Sequence, residues 1–165
     1  MNFKRLHLML ACSILMLGIR AESRQIEVNC STNVSLQQAI SDGQKVAERN
    51  AGWEVMLGGG QSMAPYFGNG SVLLVDEAPM SKLKPGMMVV FEDEAGDLVG
   101  HWLMRNEDGR WITRGVNNRR DDPGSLNAHN YRGVIFGVLN SAGEDPAGLA
   151  YAAKCGIPRV LGKTR

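Results

Sequence analysis

Between residues 53 and 139 the chain alternates short apolar runs with turn-rich polar separators. The runs fall at 53–57, 71–75, 88–92, 98–104, 110–114 and 131–139, and they have the length and β-branched content of strands. The separators are Gly58-Gly59-Gly60, Phe67-Gly68-Asn69-Gly70, Lys84-Pro85-Gly86, Glu94-Ala95-Gly96-Asp97 and Asn106-Glu107-Asp108-Gly109, followed by a longer polar stretch at 115–130. Glycine, proline and asparagine at those points supply the backbone freedom that tight links need. Six strands on hairpin-length links predict a mostly β, antiparallel domain, barrel-like or sandwiched.

Upstream of residue 53 the period lengthens. Ser35 precedes Leu36, Ala39, Ile40 and Val46, with Gln38 at capping-box distance, which predicts a short amphipathic helix ending near Asn50-Ala51-Gly52. A possible C-terminal helix covers 146–154, and 159–165 reads as a solvated tail. The very start is different in kind: Met1-Asn2-Phe3-Lys4-Arg5 is basic, 6–19 is mostly apolar, and Arg20-Ala21-Glu22 follows. That is the plan of a secretory signal, and the apolar run is short of the roughly 18 to 20 residues that span a bilayer. The expected organisation is therefore a signal peptide or N-terminal membrane anchor at 1–21, a helical lead-in at 22–52, a β domain at 53–140 and a C-terminal tail at 141–165. Either form of the first segment places the domain outside the cytoplasm, and a retained anchor would add membrane association through residues 1–21. Of the three cysteines, Cys12 lies in that segment. Cys30 and Cys155 remain as a disulfide pair for an oxidising compartment, or as two unrelated thiols.

Charge and composition narrow the partners. With 18 Lys+Arg against 17 Asp+Glu the net charge is +1, which gives no footprint for a phosphate backbone, so no nucleic acid is expected. A 44% hydrophobic content with 21% charged residues suits a globular chain and excludes a multi-span membrane protein. His7, His101 and His129 have no metal-ligand spacing, and no CxxC or HExxH occurs, so no metal is expected. The triple glycine lacks both the P-loop ending and the spaced glycines of a dinucleotide turn, so no cofactor is expected.

Three segments carry candidate chemistry. In Gly60-Gln61-Ser62-Met63-Ala64-Pro65 a serine stands on a glycine-rich bend straight after a strand, where main-chain N–H groups are free to face a substrate oxygen. Taken alone, that serine is a common turn residue. His101 shares a strand face with Val99 and Leu103, which predicts burial, and a lone buried histidine is an ordinary core residue. The stretch Thr113-Arg114-Gly115-Val116-Asn117-Asn118-Arg119-Arg120-Asp121-Asp122 is by itself a solvated turn with paired asparagines and paired carboxylates.

In this order, with a Lys-Pro-Gly turn and an apolar strand between them, Ser-Met-Ala-Pro, the histidine and Thr-Arg-Gly-x-Asn-Asn-x-x-Asp-Asp closely resemble signal peptidase I. The branch it is similar to is the endoplasmic-reticulum and archaeal type, which uses histidine where most bacterial members use lysine. The resemblance covers about residues 55–139. It implies a mostly β endopeptidase that cleaves precursor polypeptides after small residues, with Ser62 as nucleophile, His101 as base and Asp122 as the acid that orients the ring. It also implies oxyanion and substrate contacts from Gly60, Gln61, Ser62, Met63 and Pro65, and loop support from Asn117, Asn118 and Asp121, the last pairing with Arg119 or Arg120. The chemistry fits: a hydroxyl needs a base, and a free imidazole with an ordinary pKa of about 6.5 is neutral at physiological pH.

The sequence departs from that pattern in three respects, the first being that the segment between the apolar N-terminus and Ser62 is long for a family whose site normally lies near the membrane face. Turns that carry Gly-Asp in the family read Gly70-Ser71, Gly86-Met87 and Gly115-Val116, and Gly60 stands where a supporting serine is common. These departures imply altered loop hydrogen bonding and an oxyanion site made of main-chain donors such as the Ser62 N–H. They also motivate an alternative, a weakly active or inactive envelope binding domain of the same fold. A relative of self-cleaving repressors, which share the serine fold, is disfavoured by the export signal and the missing DNA-binding half.

Overall fold

A computed structural model describes residues 32–164. The segment at 1–21 expected to be a signal peptide or anchor, and Cys30, lie outside the described residues, and among those described no helix is long and apolar enough to cross a membrane. Helix α1 (Leu36–Ala47) starts where the capping signal stands, with Ser35 Oγ accepting from the Gln38 N–H at 3.1 Å. The Gln38 side chain does not close the box; it donates to Asp42 one turn on. Helix α2 (Pro146–Lys154) is capped by Asp145, which accepts from the Gly148 N–H at 2.8 Å. Cys155 is exposed at its C-terminal end.

Seven strands follow α1: β1 (Trp53–Gly60), β2 (Ser71–Asp76), β3 (Met88–Glu92), β4 (Leu98–Glu107), β5 (Arg110–Arg114), β6 (Tyr131–Asn140) and β7 (Arg159–Gly162). The order β3-β6-β2-β1-β7-β4, with β4 returning onto β3, closes a six-stranded barrel, and β5 hangs on β4 outside the ring. Most neighbours are antiparallel. The exceptions are β7 with β1 and β7 with β4, which are parallel.

Alternation along the strands explains the three cores. Met56, Leu73, Val75, Val90 and Val160 point into the barrel with Met63, Phe67 and Ile135. The opposite faces of β1 and β2 present Val55, Leu57, Val72 and Leu74 to the helices, where they meet Leu36, Ala39, Ile40 and Ala152. A third cluster, Val89, Phe91, Val99, Leu103, Trp111 and Leu126, lies on the outer face of β3 and β4 beneath β5. Strands β2 and β3 read as unbroken apolar runs because both their faces are covered.

Two expectations change. Gly58-Gly59-Gly60 is not a flexible link but the end of β1, where the missing side chains let neighbours approach. A Cβ at Gly58 would lie 3.2 Å from Gly68 O, and one at Gly60 would lie 2.2 Å from Gly162 O. The segment at 159–165 is not simply a solvated tail, since β7 completes the ring and Val160 is fully buried. The described residues 141–164 therefore pack as part of the same body.

Candidate active site

Ser62 follows β1 directly, on the bend at 61–66. The bend is fixed from inside by Met63, Ala64 and Phe67, all fully buried. Met63 joins the barrel interior and anchors the bend there. Pro65 is exposed beside it, and the Tyr66 ring meets that of Trp102 of β4 at a 56° tilt with centroids 5.0 Å apart.

His101 sits in the middle of β4 on the face shared with Val99 and Leu103, fully buried, with the Phe91 ring edge-on at 6.4 Å. Ser62 Oγ lies 2.8 Å from His101 Nε2, and Asp122 Oδ2 lies 2.6 Å from His101 Nδ1. An ionised carboxylate only accepts hydrogen bonds, so the ring proton belongs on Nδ1 and the lone pair of Nε2 faces the serine hydroxyl. Thr113 Oγ1 donates to the same Asp122 oxygen at 2.8 Å, and the Asp122 N–H donates to Thr113 O at 2.9 Å. Asp122 Oδ1 has no hydrogen-bond partner among the described residues, so Oδ2 carries the carboxylate's contacts.

The loop after β5 positions these groups. The Asn117 N–H donates to Ser62 O at 2.8 Å, and its side-chain amide donates to Gln61 O and Ala64 O at 2.8 and 3.2 Å. Asn118 donates from its side chain to Lys163 O at 2.9 Å. Both asparagines thus support the bend and its surroundings. Asp121 turns away from His101, as its neighbour's role requires, but its partners are Arg105 at 2.7 Å and Arg114 at 3.7 Å instead of Arg119 or Arg120. The reason is that β4 and β5 run beside the loop and bring their arginines to its outer face.

The Gly60 N–H is taken by Asn69 Oδ1 at 2.8 Å, so Gly60 supports the bend and offers no free donor to an oxyanion. The Ser62 N–H has no such partner among the described residues. At the departure Gly70-Ser71, Ser71 Oγ accepts from the Gly68 N–H at 3.1 Å and donates to Asn140 at 3.4 Å, supplying loop hydrogen bonds in that turn. At Gly115-Val116, a Cβ on Gly115 would lie 2.8 Å from Ser62 Cβ and 2.9 Å from His101 Nε2, so glycine there is a condition for the two to meet.

The sequence motif assigns no task to Thr113 or Gly115, and no motif includes Gly162 or Lys163. A threonine at the strand end nine residues before Asp122 was the available signal for the first. Nothing local marks the last two. Among the described residues no cluster of His, Cys, Asp and Glu is arranged to hold a metal ion. Comparison with protein-family models, with curated proteins and with solved structures gives no match for this chain.

Proposed function

We propose that the chain is an extracytoplasmic serine endopeptidase of the signal peptidase I kind, acting on precursor polypeptides after small residues. The observation that carries this reading is the linear relay from Ser62 Oγ through both ring nitrogens of His101 to Asp122, over 2.8 and 2.6 Å. In the proposed reaction His101 Nε2 takes the hydroxyl proton as Ser62 Oγ attacks the scissile carbonyl carbon. The imidazolium that forms is stabilised by Asp122, and the tetrahedral oxyanion by the Ser62 N–H. The proton then passes from Nε2 to the departing amine, and water repeats the sequence on the acyl-ester. Close walls at Gly115 and Gly162 around Ser62 support a preference for small residues at the cut.

Ser62→Ala is expected to bring cleavage of a model precursor to background while the circular dichroism spectrum is unchanged, because one hydroxyl and its hydrogen bond, worth about 1 kcal/mol, are lost. Equal cleavage by both proteins, where the wild-type serine is accessible enough to be labelled by a fluorophosphonate, would sink the proposal. A second reading, an inactive envelope binding domain, is favoured by one observation, that Ser62 is 0% exposed. A Ser62 hydroxyl that fails to react with a fluorophosphonate even when position 62 is accessible to small alkylating reagents would select it.

A further inference from the structure

Ser62 and His101 are both 0% exposed, so a polypeptide cannot reach the hydroxyl in this conformation. Two segments press on Ser62. One is the loop after β5, at Gly115. The other is the end of β7, where a Cβ on Gly162 would lie 2.9 Å from Ser62 Oγ and 2.9 Å from Gly59 O.

The two segments differ in what their movement would do. The loop carries Asp122 at its far end and binds Ser62 O through Asn117, so lifting it would take the relay apart. Residues 162–163 touch no member of the relay by hydrogen bond. They lie along β1, with Gly162 in register with Gly60, two residues before the serine. An extended segment therefore already occupies the edge of β1 that leads into Ser62. Lys163 fastens it: its carbonyl accepts from Asn118, and its ammonium bridges Asp93 at 2.5 Å and Asp97 at 2.7 Å, next to the turn joining β3 and β4. Barrel closure itself rests on Val160 in the core and on Leu161 against β4.

We propose that residues 162–163 form an autoinhibitory strap, occupying the place beside Ser62 that an extended substrate chain would take, so that releasing Lys163 uncovers the nucleophile with its hydrogen bonds intact. The functional meaning of this device rests on the peptidase reading, whereas access to position 62 is measurable without catalysis. A segment pairing with β1 and offering only a glycine at the serine is how a chain fits there without a clash, and the same steric rule governs any incoming substrate.

The test reads access and chemistry separately. In a Ser62→Cys background, alkylation by iodoacetamide is followed at position 62 by mass spectrometry, with and without Lys163→Glu, which sets a carboxylate against Asp93 and Asp97. The strap predicts alkylation at least about fivefold faster with Lys163→Glu, on the scale of two partly exposed ion pairs lost. Lys163→Gln, a milder change, is the second variant should the first fail to fold, and a rate between the other two is expected. Equal rates in folded proteins overturn the strap. In a parallel arm the native serine is treated with a fluorophosphonate. Lys163→Glu should accelerate its labelling as well. Faster alkylation without serine labelling would keep the strap and remove the peptidase reading, and faster labelling without faster alkylation would do the reverse.

Discussion

At the scale of single residues, Asp121 and Asp122 are adjacent, yet one is exposed to arginines and the other faces His101. An exposed pair such as Asp121 with Arg105 is worth about 0.2 to 1 kcal/mol. In the proposed reaction Asp122, 2.6 Å from His101 Nδ1, holds the ring in the tautomer that accepts the Ser62 proton. Loss of that role costs about 10⁴ in turnover in the trypsin-type triad. Asp122→Asn is therefore expected to lower turnover by at least about a hundredfold, and Asp121→Asn by no more than a few-fold; steady-state kinetics on one precursor peptide decides, and the reverse order would overturn the assignment. Thr113 is a positioning residue, since its hydroxyl bonds Asp122 and neither Ser62 nor His101. Because Oδ1 has no partner, Thr113 and His101 share the work of fixing this carboxylate. A hydrogen bond to a charged group is worth about 1.5 kcal/mol, so Thr113→Val should cut kcat about tenfold with KM unchanged, and Thr113→Ser should restore it. Loss of KM alone would show a merely structural threonine. Ser62, His101 and Asp122 were legible because their motifs are local. The task of Thr113 was not, because it exists only once β5 lies beside the loop.

At the scale of elements, the β1–β7 pair holds the largest difference between expectation and structure. Six strands and both helices were legible from runs and caps, but β7 is four residues long, flanked by charge, and pairs in parallel with strands far back in the sequence. No hairpin signal exists for such a contact. Gly60 at φ +81° and Gly86 at φ +88° share the left-handed backbone, but a Cβ on Gly86 meets nothing within 4 Å, whereas one on Gly60 meets Gly162 O at 2.2 Å. Gly86→Ala should cost about 1 to 2 kcal/mol, the conformational penalty alone. Gly60→Ala adds a backbone clash and should cost at least about 1 kcal/mol more by urea denaturation. Equal costs would mean that β7 yields freely at this point. The ionic fastening of Lys163 spans a wide pH range. Burial works against the charged form of Asp93, but hydrogen bonds from Lys163 and from the Asp97 and Ala95 N–H groups outweigh it and hold its pKa below the usual 3.8. Hydrogen bonds to Asp93 and Asp97 raise that of Lys163 above 10.5. The carboxylate's contribution is complete above 3.8 and lost as pH falls through the lowered value; the ammonium's is complete below 10.5 and lost as pH rises through the raised one. Amide exchange at 161–163, corrected for intrinsic rates, should therefore stay constant from pH 5 to about 9 if the fastening governs it.

At the scale of the whole molecule, closure of the barrel depends on one short strand that joins β1 to β4. Val160 is the residue of that strand that enters the interior, where it is 0% exposed among Met56, Phe67, Leu73 and Ile135. Packing is close there: a Cβ on Gly100 would lie 2.9 Å from Val160 Cγ1 and 2.9 Å from the tip of Phe67, so the wall of β4 has been pared back to admit both. A solvated tail and a closing strand predict different energetics for this position. Substitution in an exposed tail changes stability by less than about 0.5 kcal/mol. Removing two methyl groups from a filled core loses their transfer free energy plus a cavity term, about 2 kcal/mol together. Arg159, on the same strand, faces outward and pairs with Glu144 at 2.6 Å, an exposed contact worth at most about 1 kcal/mol. Val160→Ala is accordingly expected to lower stability by about 2 kcal/mol, which is a fall in Tm of roughly 4 to 8 °C for a chain of this size, while Arg159→Ala shifts it by less than half as much. Because the strand belongs to the same cooperative body, urea unfolding of both variants should remain a single transition with an unchanged denaturant slope. A separate early transition in Val160→Ala, leaving the remaining strands folded, would show that β7 docks onto a barrel already stable without it.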